Sequence, residues 1–277
     1  MFWKRLSSGV VLLAIAIATF AFGGLSLLAV LLLISLIAYR ELTKAMKCAG
    51  EEKKFNALEI VGFCSVVAYY CMCYLCVTYD WDKMVLLAVI MLALMGELFI
   101  YVIMFPKYEA GQVAAATFSF LYAPVMLATV YLTRELPLGI YLVWLILISS
   151  WGCDTCAYVV GVLIGKKKIF PKLSPKKSLE GCFGGVIGAM LIGGLYAHFF
   201  VNAEYPNQSI SWAIVLICGV GAVMSMVGDL AASAIKRNHG IKDYGNLIPG
   251  HGGVMDRFDS MIVTAPMVYC LAVFLLF

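Results

Sequence analysis

The strongest constraint on this sequence is its succession of apolar runs, each near the length at which an α-helix crosses a bilayer. They cover about residues 6–22, 25–39, 57–79, 84–105, 111–132, 138–160, 181–201, 211–232 and 260–277. A helix needs about 20 residues to traverse a hydrocarbon core about 30 Å thick. Only helices and closed barrels satisfy their own backbone in that medium. Charged residues make up 13% of the chain and hydrophobic residues 63%, whereas soluble domains carry about 25% charged residues. The expected fold is an all-α integral membrane protein, a polytopic bundle of about nine transmembrane helices.

The first run follows Lys4 and Arg5, and Ala21-Phe22-Gly23 resembles a signal-peptide cleavage site. A second apolar run begins at once, so two spans joined by a tight turn at Gly23-Gly24 are the better reading. Residues 40–56 are polar with scattered apolar positions, which suggests an interfacial helix and loop. Charge bias orients the spans. With the N-terminus inside, the inner segments collect Lys4 and Arg5, five basic residues in 40–56, Lys107, six in 165–180 and four in 236–257. Only Lys83 and Arg134 fall outside. The basic side is cytoplasmic, and both polar segments, 165–180 and 236–257, face it.

The net charge of +4 is too small to argue for nucleic acid. Most of the ten cysteines lie in apolar runs, where cysteine acts as a small hydrophobe. Cys153 and Cys156 have metal-like spacing, but no second pair completes a zinc site. Gly181, Gly184, Gly185 and Gly188 give overlapping small-xxx-small pairs and predict a closely packed helix face. Glu59 and Glu97 are expected to be interhelical hydrogen-bond partners. Residues 1–137 read as scaffold, and residues 138–277 carry the chemistry.

Charge concentrates between Ser233 and Asp259. Asp229, Ser233 and Lys236 are spaced to share one helical face, with Arg237 beside them. Asp256 and Asp259, three apart, open the last span. A carboxylate near mid-bilayer costs about 2.5–3.5 kcal/mol on insertion scales, and a bound cation would offset it. Asp229, Asp256 and Asp259 together would make an oxygen-rich site for Mg²⁺, which prefers carboxylates, water and phosphate oxygens. Gly250, Gly252 and Gly253 let the backbone approach a phosphate closely. His251 either donates to a phosphate or caps the turn, while His198 and His239 read as structural. Gly161-x-x-x-Gly165-Lys166 lacks a residue and a following hydroxyl, so it is not a Walker loop. The stretch Ser174-Pro175-Lys176-Lys177-Ser178 still suits phosphate through hydroxyls and lysines.

The stretch Ser233-x-Ile235-Lys236-Arg237, Lys242-Asp243-x-Gly245 and Ile248-Pro249-x-His251-Gly252-Gly253-Val254-x-Asp256-Arg257-Phe258-Asp259 resembles the signature of the phosphatidate cytidylyltransferases, or CDP-diacylglycerol synthases. Asp154-Thr155-x-Ala157-Tyr158-x-x-Gly161 and Ser174-Pro175-Lys176-Lys177-Ser178-x-Glu180-Gly181 resemble two further blocks of that family, with Ser178 where Thr is commoner. The resemblance implies a cytoplasm-facing, membrane-level cavity in which phosphatidate attacks the α-phosphorus of CTP with Mg²⁺ present. It also implies metal ligation by Asp229 and Asp256, supported by Asp259. Lys236, Arg237 and Arg257 would neutralise phosphates, and Ser174, Lys176 and Lys177 would hold the triphosphate. Asp154 would be a polar member of the cavity, with Ser178, Ser233, Lys242, Asp243, Gly252 and Gly253 as further substrate-binding positions. The bacterial inner membrane is the expected location, and a homodimer is compatible with this reading.

Two other functions fit parts of the sequence. A CTP-dependent polyprenol kinase would use the γ-phosphate but does not normally carry the whole 233–259 signature. A transporter would line an ion path with intramembrane charges, yet here they gather at one face and no inverted repeat is visible.

Overall fold

Apolar runs of this length become helices because lipid leaves the backbone no partner but itself. The computed structural model describes residues 14–48, 56–171, 173–205, 208–247 and 252–277. Among them, eight helices are long and apolar enough to cross a membrane: α1 (Gly24–Ala45), α2 (Ala57–Thr78), α3 (Met84–Ile103), α4 (Ala110–Arg134), α5 (Gly139–Ile164), α6 (Leu179–Glu204), α7 (Ile210–Asn238) and α8 (Met255–Leu276). These make an integral membrane protein that is nearly all α. Residues 14–22 are helical as well, and the rest of the predicted first span lies outside the described residues. The tight turn forms where expected, with Gly23 and Gly24 at φ of 64° and 52°, a region that glycine enters without a Cβ penalty.

Two local expectations are corrected. Arg40–Ala45 do not begin a separate helix but continue α1 as its last turns, with polar partners described below. The loop 165–180 contains the one departure from an all-α fold among the described residues. Here β1 (Lys168–Phe170) pairs antiparallel with β2 (Ser174–Ser178), matching Lys168 with Ser178 and Phe170 with Ser174 around an irregularity.

The chain divides into two compact units, Met1–Leu132 with Asn238–Arg257, and Thr133–Arg237 with Phe258–Phe277. In the first, buried polar groups tie helices together. Arg40 of α1 forms an ion pair with Glu59 of α2, whose backbone N–H is accepted by the Asn56 cap at 2.7 Å. Thr117 of α4 donates to Glu97 of α3, and Ser35 lies 2.6 Å from the Tyr70 hydroxyl. Glu59 and Glu97 are thus both interhelical partners, as their isolation in apolar runs predicts. Around them pack the fully buried Tyr39, Leu58, Phe120 and Leu127.

In the second unit α5 and α6 lie against each other along the glycine face. A Cβ at Gly184 would come 2.5 Å from Val160, one at Gly185 2.9 Å from the Cys153 sulfur, and one at Gly188 2.5 Å from the Cys156 sulfur. Cys153 and Cys156 therefore pack against the stripe, and all ten cysteines are free thiols. Gly228 of α7 likewise meets α8, where a Cβ would lie 2.6 Å from the Asp259 carbonyl oxygen. Gly188→Leu should force α5 from α6 and cost about 1–3 kcal/mol, typical of overpacking. The loss should appear as a lower thermal midpoint in detergent, whereas Leu191→Ala on the exposed flank of α6 should leave that midpoint almost unchanged.

Candidate active site

The second unit assembles charged positions that are far apart in sequence. Asp154 stands at the start of regular helix in α5, just after a π-helical turn at Ile148–Gly152. Wide turns of this kind recur at functional sites. Asp154 lines a cavity of about 400 Å³ together with Tyr158, Lys176, Lys177, Ser178 and Met226. Lys177 reaches from β2 to α7, its Nζ 2.5 Å from Oδ2 of Asp229. Both side chains are partly shielded, at 21% and 31% exposure, so the pair is neither a solvated surface contact nor sealed in the core. Asp259 of α8 lies within electrostatic range of Asp229, Asp154 and Lys236. Three carboxylates (Asp154, Asp229, Asp259) and four lysines (Lys168, Lys176, Lys177, Lys236) thus share one region of this unit.

The hairpin is held by its own backbone. Ser178 ends β2 and caps α6, its Oγ accepting the Gly181 N–H at 3.3 Å. Glu180 accepts the backbone N–H groups of Lys166 and Lys167 at 3.0 and 3.2 Å, and the Leu179 N–H donates to the Lys167 carbonyl at 2.8 Å. Negative charge in the first turn suits the helix dipole, so Glu180 both closes the lysine-rich loop and complements α6. A Cβ would approach the Ser178 Oγ to 3.2 Å from Gly161 and to 2.9 Å from Gly181. The blocks Asp154–Gly161 and Ser174–Gly181 end on glycine because they converge on this one hydroxyl.

The other positions singled out in the sequence fall as follows. Ser174 opens β2 opposite Phe170. Ser233 and Lys236 are half-buried near the end of α7, and Arg237 is exposed. Lys242 and Asp243 are exposed in the segment after α7. Gly250 and His251 lie outside the described residues.

The first unit holds the Asp256 group. Oδ2 of Asp256 accepts the backbone N–H of Tyr244 at 2.8 Å and of Gly253 at 3.0 Å. Gly252, at φ of 84°, brings its backbone to the same carboxylate, and a Cβ there would lie 2.9 Å from Oδ2. Arg257 is half-buried, and its N–H donates to the Val254 carbonyl at 2.9 Å. Asp256 and Asp259 share the start of α8, and the division between units passes between them.

Among the described residues, no group of three or more His, Cys, Asp or Glu side chains is preassembled as a metal site. Glu41, which nothing in the polar segment 40–56 marks out, accepts two backbone N–H groups from residues more than 200 positions away. Its only trace in the sequence is an acidic residue at the end of an apolar run.

Ser178→Ala should lose the cap of α6 and about 1 kcal/mol of stability, measurable as a reduced thermal midpoint. Ser178→Thr, which keeps the oxygen, should recover most of it.

Comparison with known proteins places this geometry in a family. A family model described as cytidylyltransferase family matches residues 3–275. A phosphatidate cytidylyltransferase of Staphylococcus epidermidis is 30% identical over 269 residues, covering 97% of this chain and 98% of the relative. Proteins of that name from Haemophilus influenzae and Bacillus subtilis are 41% and 38% identical over 128 and 133 residues. In those two alignments the chain spans about half the length of the relative, 44% and 48%. The match along almost the whole chain, with a relative aligned end to end, means that this protein belongs to the cytidylyltransferase family.

Proposed function

We propose that this protein transfers the cytidylyl group of CTP to phosphatidate, giving CDP-diacylglycerol and pyrophosphate for phospholipid synthesis. The observation that carries the reading is the convergence of Asp154, Lys177, Asp229 and Asp259 in a membrane protein of this family. In the reaction a phosphate oxygen of phosphatidate bonds to the α-phosphorus of CTP. The bond from that phosphorus to the oxygen bridging the α- and β-phosphates breaks, and pyrophosphate leaves with its electrons. Such a step needs little covalent chemistry from protein; positioning and charge neutralisation carry it.

Lys176 and Lys177 bind the triphosphate, and Lys236, Arg237 and Arg257 offset the remaining phosphate charge. Ser174 and Ser233 offer hydroxyls. Lys242, Asp243, Gly252 and Gly253 border the substrates, and Ser178 holds the hairpin in place.

Mg²⁺ fits the donor chemistry, because it takes one or two carboxylates and completes its shell with water and phosphate oxygens. Asp229, with Asp259 or Asp256, would hold it. That Lys177 already sits against Asp229 supports Asp229 as a carboxylate that takes a cationic partner. Bound there, Mg²⁺ supplies neutralisation of the phosphate oxygens.

The asymmetry of Lys and Arg along the sequence supports a cytoplasmic N-terminus and a cytoplasm-facing site. Residues 6–22 would add a ninth span, and the bacterial inner membrane would be the location. Residues 138–277 would carry the chemistry on the scaffold of 1–137, in a monomer or a homodimer.

Purified protein given phosphatidate, Mg²⁺ and CTP labelled at the α-phosphate should produce labelled lipid with release of pyrophosphate. Transfer of a γ-label to a polyprenol would instead make it a kinase, and no lipid labelling from either position would reject the reading. Asp229→Asn, which keeps shape but removes charge, should lower kcat about a hundredfold or more, as loss of a transition-state electrostatic partner does. Full activity in that variant would overturn the metal assignment. Chelation of divalent cations should abolish labelling, and added Mg²⁺ should restore it.

A further inference from the structure

We infer that Glu41, near the end of α1, is a positioning residue for the Asp256 loop, an inference that rests on the cytidylyl-transfer reading. Its two oxygens are used separately. Oε1 accepts the Val254 N–H at 3.0 Å, and Oε2 accepts the Met255 N–H at 2.7 Å. These N–H groups belong to the residue before α8 and to its first residue, where an unpaired donor has no carbonyl within the helix to receive it. A carboxylate satisfies two of them at once and meets the positive end of the helix dipole. Glu41 is 8% exposed, so water competes little for these bonds.

The loop is shaped around this carboxylate. A Cβ on Gly253 would lie 2.5 Å from both Glu41 oxygens, and one on Gly245 would overlap Oε1. Two glycines of the 233–259 signature are therefore explained by a side chain outside it. The Gly253 N–H and the Tyr244 N–H both turn to Asp256. Glu41 thus fixes the two residues immediately before Asp256, and Asp256 in turn holds the backbone at Tyr244 and Gly253. The pair of carboxylates sets the loop from opposite ends, one anchoring its backbone and the other presented by it. Tertiary contact of this kind, between residues 213 and 214 positions apart, gives α1 a part in the chemistry rather than only in the scaffold.

Glu41→Gln tests this directly, because its amide would turn a donor toward one of the two backbone donors. Glu41→Asp keeps both acceptors but sets them back by one methylene. Thr43→Val, a buried neighbour that faces no signature residue in its hydrogen bonding, controls for damage to the same turn of α1. Hydrogen exchange in the full-length protein should be at least tenfold faster in Glu41→Gln at the Val254 and Met255 amides and unchanged in α2 and α3. Its kcat for CTP and phosphatidate should fall at least tenfold with KM for CTP within twofold. Glu41→Asp should lie between it and the wild type, and Thr43→Val should keep kcat within twofold. Unchanged exchange at Val254 and Met255, or a kcat loss in Thr43→Val as large as in Glu41→Gln, would overturn the inference. If Glu41→Gln cannot be purified folded, the same two readouts on Glu41→Asp decide it. Wild-type protein that labels no lipid would reject the cytidylyl-transfer reading, while the exchange result would still decide whether Glu41 anchors the loop.

Discussion

In a chain this apolar, a charge inside the bundle persists only where another group answers it. Every ionisable side chain drawn into the bundle loses hydration that lipid cannot replace. The structure answers this in three ways. Glu59 is matched by Arg40, Asp229 by Lys177, and Glu41 by two backbone N–H groups at the start of α8. Each solution draws together segments distant in sequence, so satisfying charge and building tertiary structure are one process here. The fold around these pairs is otherwise assembled from generic apolar packing.

The pairs differ in what they leave over. Glu59 is wholly buried and doubly engaged, by Arg40 and by its capping box with Asn56, and reads as structural. Lys177 and Asp229 remain partly exposed at the side of a cavity, with Asp154 and Asp259 adding negative charge nearby. Lysines and carboxylates stand side by side there, so both signs of charge border the cavity. The proposed reaction calls for that mixture, since lysines would face the phosphates and carboxylates a divalent cation. Close approach is possible because α5 and α6 meet through glycine, which frees the space around Ser178 that the two motif blocks share.

Several of these features were legible in the residues. Helical spans follow from run length, and the glycine face of α6 from four-residue spacing. The tight turn follows from Gly23-Gly24, and the partnering of Glu59 and Glu97 from their isolation among apolar neighbours. The β-hairpin was not legible. A five-residue polar stretch containing proline has no strand periodicity to read, and its pairing depends on Ser178 and Glu180 fixing its far end. The end of α1 was not legible either, since nothing local to Arg40 and Glu41 names Glu59 or the Val254 and Met255 amides as their partners.

The sequence by itself determined that this protein lives in a membrane as helices, and which short segments carry its charge, because those follow from local hydrophobicity and spacing. Only the tertiary structure decided which charges meet. Lys177 lies 52 positions from Asp229, and Glu41 lies 213 from Val254; nothing local to either residue specifies the other. Those pairings are selected when helices pack, since the cost of an unanswered charge or an unpaired N–H in an apolar interior is felt only once the chain has folded around it.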